Sequence, residues 1–110
     1  MKVVENDRLI SDMLREELVR CRNMSASLEQ VLSNLPKGSL HFRSKDYHGK
    51  GYSYHYLKFR ERGRSVSRHI PSGQVEEVQK QLQARKSYEQ ELKTYQARIR
   101  YLEKILPHQG

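Results

Sequence analysis

Leu14, Leu18, Cys21, Ser25, Leu28, Leu32 and Leu35 recur at alternating spacings of four and three residues. That is the a/d rhythm of a helix that packs on another helix. It predicts a first helix over residues 5–34, stopped by Pro36 and followed by a Lys37-Gly38 turn. Met24 and Val31 widen the apolar stripe and leave room for contact with a sheet as well. A second stripe runs through Val75, Val78 and Leu82, then Tyr88, Leu92, Tyr95, Ile99, Leu102 and Leu106. It predicts a helix over 72–106, with Ser72 as N-cap and Glu76 and Glu77 where the helix dipole favours acids. The rhythm slips between Leu82 and Tyr88 and puts Arg85 at a core position, so the seam is expected to be irregular there.

Between the helices the period changes from 3.6 to 2. Three strands are expected, over residues 39–45, 52–60 and 64–70. Asp46 to Gly51 reads as a loose loop, and Arg62-Gly63 as a tight two-residue turn. That turn makes Glu61 face Arg64, Phe59 face Val66 and Lys58 face Ser67. One face then collects Leu40, Phe42, Leu57, Phe59, Val66 and Ile70. The other collects His41, Arg43, Lys45, Tyr52, Tyr54, Tyr56, Lys58, Arg60, Ser65, Ser67 and His69. Arg64 and Arg68 fall with the apolar set and must reach past the sheet edge to stay solvated. A one-residue slip would instead bury the tyrosines. The fold class is therefore α+β, a single domain over 1–110 in which two long helices flank a three-stranded antiparallel meander. Helices of about thirty residues reach about 45 Å. They would pack as a coiled-coil-like hairpin or complete a helical layer in a homodimer, since a small core gains burial by association.

Charge sharpens this picture. The chain carries a formal +8, but residues 1–36 hold five Lys/Arg against six Asp/Glu, and residues 71–110 hold seven against five. Residues 37–70 hold nine Lys/Arg against Asp46 and Glu61 alone, with four of the five histidines. Positive charge concentrated in one segment signals an interaction surface for a polyanion, although a basic face can also serve only for solvation. Aromatic rings alternating with cations supply planes for bases and charges for phosphates. The meander could alternatively lie in a major groove, with Arg43, Lys58 or Arg60 at guanine edges.

Other chemistry has little to stand on. The four histidines lack the close spacing of a zinc site and have no cysteine nearby, so neither a metal nor another cofactor is expected. His55 reads as a core histidine beside Leu57. No glycine-rich phosphate loop, paired carboxylates or activated nucleophile suggests an enzyme. Lone Cys21 cannot form an internal disulfide, and no apolar run is long enough to span a bilayer, which fits a cytoplasmic protein.

Leu35-Pro36-Lys37-Gly38-Ser39-Leu40, the tyrosine-rich hairpin from Gly51 to Pro71 and the charged helix after it resemble small proteins of Gram-positive bacteria and their phages that share a helix, β-meander, helix order. That resemblance implies a mobile-element setting and no particular activity. The basic hairpin Lys58 to Arg68 followed by a helix also resembles the arm-type DNA-binding domain of integrases, which implies DNA binding by the exposed sheet. This chain differs in having a long helix before the sheet and no catalytic domain after it. The expectation is a protein that binds nucleic acid, DNA more than RNA, through Arg43, Lys45, Tyr54, Tyr56, Lys58 and Arg60, with Arg64 and Arg68 at the edge. The rival from another class is a phage- or mobile-element-encoded inhibitor of a host nucleoprotein, of the anti-CRISPR kind, that acts without catalysis by binding a CRISPR effector or another such complex.

Overall fold

The computed structural model describes residues 8–106, apart from the side chain of Tyr47. Its elements are α1 (Arg8–Ser33), β1 (Ser39–Tyr47), β2 (Lys50–Glu61), β3 (Arg64–Ile70), a 3-10 turn (Ser72–Gln74) and α2 (Val75–Ile105). Two helices thus flank a three-stranded antiparallel sheet in the order β1-β2-β3. The expected starts at Glu5 and the stop at Pro107 lie outside the described residues.

The chain divides into two compact units, residues 1–34 with 87–110, and residues 35–86. The division falls inside α2, just past Arg85, where the apolar rhythm slips. In the first unit α1 and the later part of α2 bury Leu18, Cys21 and Leu102, with Leu14, Tyr95, Ile99, Ile105 and Leu106 packed around them. Cys21 is fully buried, and its thiol donates to Glu17 Oε1 at 3.4 Å. Arg22 reaches Glu103 at 2.7 Å from one helix to the other. Met24 and Val31, expected to reach further contacts, are exposed.

In the second unit the sheet rests on the first turns of α2. Leu57, Ile70 and Val78 form the core, and Leu40, Phe59, Val75 and Leu82 pack against it. Leu57, on the central strand, is only 1% exposed. Arg85, set at an apolar position by the slip, donates from Nη1 to the Leu35 carbonyl at 3.1 Å. Its guanidinium thus takes up a backbone acceptor just beyond the C-terminal end of α1. Gly38 lies against β2 with φ at +122°, and a Cβ there would come within 2.3 Å of the Lys58 carbonyl oxygen. The turn after Pro36 therefore requires glycine for both its conformation and its clearance.

Two details differ from the expectations. The loose loop over 46–51 is instead a two-residue turn at His48-Gly49, both with positive φ, so β1 and β2 run two residues further on each side. Arg62 and Gly63 form a second such turn. Positive φ at both central positions gives the turn twist that matches right-handed strand twist, which lets long strands stay paired up to the turn. Ser72 is not the N-cap of α2. It lies inside the 3-10 turn, which Pro71 caps, and the Ser72 carbonyl accepts from the Val75 amide. Glu76 and Glu77 do occupy the first turn of α2.

Candidate nucleic-acid interface

The register pairs Glu61 with Arg64, Phe59 with Val66 and Lys58 with Ser67, as the Arg62-Gly63 turn requires. Across β1, Arg43 pairs with Tyr54, His41 with Tyr56 and Lys45 with Tyr52. Because Leu57 and Ile70 are buried towards α2, strand alternation turns Tyr52, Tyr54, Tyr56, Lys58 and Arg60 to the opposite, open side. The tyrosines are the open set.

The rings form a ladder along β2. Tyr52 and Tyr54 centroids are 5.8 Å apart, and those of Tyr54 and Tyr56 are 6.0 Å apart. His41 stacks on Tyr56 at 5.3 Å and 16°, and the Arg43 guanidinium lies 5.5 Å from the centre of the same ring. His69 meets Tyr54 from β3 at 6.2 Å. Each ring of the ladder but one is thus engaged on both sides. Tyr52, at the end, is 56% exposed.

Arg43, Tyr54, Tyr56, Lys58, Ser67 and His69 line an open groove of about 310 Å³. Four of the expected site residues therefore converge on one concavity. Lys45 is in the next row beside Tyr52, and Arg60 donates to the Gly63 carbonyl of its own turn at 3.3 Å. Arg64 and Arg68, opposite Glu61 and Leu57 in the register, fall on the α2 side and are not brought to the groove. The expected binding residues omit Ser67, His69 and Tyr52, although strand parity places all three on this face; Ser67 and His69 line the groove.

The electrostatics are one-sided. Among the described residues, none of the nine Lys/Arg between Lys37 and Ile70 forms an ion pair with a carboxylate, whereas Arg15–Asp12, Arg20–Glu17, Arg22–Glu103, Lys80–Glu76 and Arg98–Glu17 pair on the helices. Even Glu61 and Arg64, opposite each other in the register, do not pair. An array of uncompensated cations raises a positive potential that attracts anions.

β3 ends opposite His55, so Lys50 to Tyr54 are flanked by β1 alone. The two strands continue there as a ribbon bearing Arg43 and Lys45 beside Tyr52 and Tyr54. On the ribbon's other side His55 meets Phe42 at 4.9 Å, while Phe42 stays 59% exposed. His55 is thus half-buried against a ring. The described residues contain no cluster of His, Cys, Asp or Glu able to hold a metal ion, and no helix long and apolar enough to cross a membrane.

Comparison with known proteins finds no matching family model, no matching curated protein and no matching solved structure.

Proposed function

We propose that this chain is a non-enzymatic nucleic-acid-binding protein whose ligand, DNA in the first place, lies across the tyrosine face of the sheet. One observation carries the reading. Arg43 and Lys58, with Lys45 and Arg60 in the flanking rows, are free of carboxylate partners and border a ladder of aromatic rings. Cations without internal partners gain most from an external polyanion, because binding releases the counterions that otherwise screen both surfaces. The rings give the same surface an affinity for bases that a merely solvated basic face lacks. The resemblances of the hairpin to phage and integrase segments support an accessory role in a mobile element, in the cytoplasm, and the exposed Leu9, Ile10, Met13 and Val19 of α1 support a homodimer.

The test is a salt titration. The folded protein should bind a random oligonucleotide at about 50 mM salt, with log affinity falling linearly in log salt. Lys58→Ala with Arg60→Ala should flatten the slope by about 1.4–1.8, since each phosphate contact contributes about 0.7 on single strands and about 0.9 on duplex. Absence of binding at that salt would overturn the reading and point to an acidic protein surface as the target.

A further inference from the structure

Resting on that reading, we infer that the interface takes an unpaired strand rather than a duplex, with a base stacked on Tyr52 and the adjoining phosphate held by Lys45, opposite Tyr52, and Arg43 in the next row. The shared chemistry is that of an unstacked nucleotide, whether from DNA or RNA. Three features of the sheet lead there.

The first is the spacing of the ladder. Successive tyrosines of β2 are 5.8 and 6.0 Å apart, set by the two-residue repeat of a strand. Bases in a duplex are stacked about 3.4 Å apart and turn only their edges outward. A duplex can therefore offer such a ladder no ring faces. A strand drawn out along the sheet can turn the face of a base towards an open ring.

The second is which ring is open. Tyr56 already has His41 stacked on it and the Arg43 guanidinium beside it, and Tyr54 has Tyr52, Tyr56 and His69 as neighbours. Tyr56 is thus a positioning residue, holding Arg43 at the groove. Tyr52 is exposed, at the end of the ladder and opposite Lys45 in the register. An exposed ring among cations is where a base can add to the stack while its phosphate stays within reach of charge.

The third concerns the ribbon made by β1 and β2 beyond Ile70. Inserted into a duplex groove, it would have phosphates near both of its faces. The face opposite the tyrosines carries Asp46 and the apolar Phe42 ring, which suit neither wall. Lying on a single strand, the ribbon uses its tyrosine face alone.

The experiment compares four probes of equal length with the full chain at about 50 mM salt: oligo(dT), oligo(U), and mixed-sequence DNA as single strand and as duplex. At least one of the single strands should bind about tenfold or more tightly than the duplex. Tyr52→Ala should weaken the single strand by about 5- to 150-fold, the range that one stacking contact spans, and leave the duplex unchanged. Tyr52→Phe keeps the ring and should retain single-strand affinity, which separates stacking from loss of fold. The chain has no tryptophan, so its seven tyrosines report directly. Single strands should quench part of their emission in the parent and less of it in Tyr52→Ala. If no probe binds, the nucleic-acid reading itself falls. If duplex binds as well as single strand, or Tyr52→Ala changes neither, that reading survives and the single-strand inference is overturned.

Discussion

In the helical unit Arg20, Arg22 and Arg98 each reach a carboxylate, at 2.6, 2.7 and 3.5 Å, while in the sheet unit the cations of the strands reach none. Aromatic rings follow the same division. Tyr95 packs against the helical core with the Arg20 and Arg98 guanidinium groups each 5.8 Å from its centre. Tyr56 has a guanidinium at much the same distance, but stands on an open sheet face beside a groove. The same residue types make a closed structural surface in one unit and an unsatisfied one in the other. What separates helix from strand is the supply of acids: among the described residues nine of the eleven carboxylates are on the helices and only Asp46 and Glu61 are on the strands. A cation beside a ring is therefore informative about function only after its carboxylates have been counted.

The comparison is broken most severely by removing the core beneath the open face. Leu57→Ala takes away the central side chain on which both Ile70 and Val78 pack and should cost about 2–5 kcal/mol, as buried Leu→Ala changes do. Denaturant unfolding followed by circular dichroism measures the loss. If the open face depends on the sheet, nucleic-acid affinity should fall with it. Amide exchange should quicken over 39–70 more than at Cys21 and its neighbours in the other core. A uniform rise along the chain would mean that the two units unfold as one.

Much of this arrangement is legible in the sequence. The 3-4 rhythm gave both helices to within a few residues, and Arg62-Gly63 fixed the second hairpin, whose register then divided the two faces correctly. His48-Gly49 carried the same turn geometry, but Asp46, Gly49 and Gly51 crowd around it, and glycines on both sides of a turn read as a loop. Pro71 misled for a related reason. A serine after proline is a good N-cap by type, whereas here the chain first closes a 3-10 turn, so the capping position moved ahead of it. Arg64 and Arg68 were already assigned by parity to the apolar side, and the register keeps them there. The engagement of Tyr56 and the openness of Tyr52 were not legible, because both depend on which ring ends the ladder and which neighbours from β1 lean over it.

A smaller and sharper test neutralises equal charge in each unit. Arg22→Ala with Arg98→Ala removes two cations already partnered by Glu103 and Glu17, and should leave the salt slope of nucleic-acid binding unchanged within about 0.3. The same loss of charge at Lys58 and Arg60 is expected to flatten it. Stability should also barely change in the helical variant, because exposed ion pairs contribute about 0–1 kcal/mol. Equal effects of the two double variants on the slope would show that net charge, and not the open face, governs binding.

The smallest effect concerns Glu17, the acid that serves most neighbours. Its carboxylate accepts two hydrogen bonds from Arg20, at 2.6 and 3.0 Å, and one from the Cys21 thiol, with Arg98 also close. The Arg20 hydrogen bonds above all hold its pKa down to about 2 from an ordinary 4.5. A carboxylate whose pKa is lower in the folded state releases its proton more readily there than in the unfolded chain. Its contribution to stability is therefore complete above the ordinary carboxylate range and is lost as pH falls from about 4.5 towards 2. The group is solvent-accessible, so screening keeps the effect small and salt should reduce it further. Carboxyl NMR should find Glu17 titrating well below the ordinary carboxylate value of 4.5. Glu17→Gln should remove that low-pH step from the stability profile and leave the sheet's affinity for nucleic acid at neutral pH unchanged. A Glu17 midpoint in the ordinary range would show that Arg20 does not hold the carboxylate in solution, and that the helical unit leaves its charges as open as the sheet does.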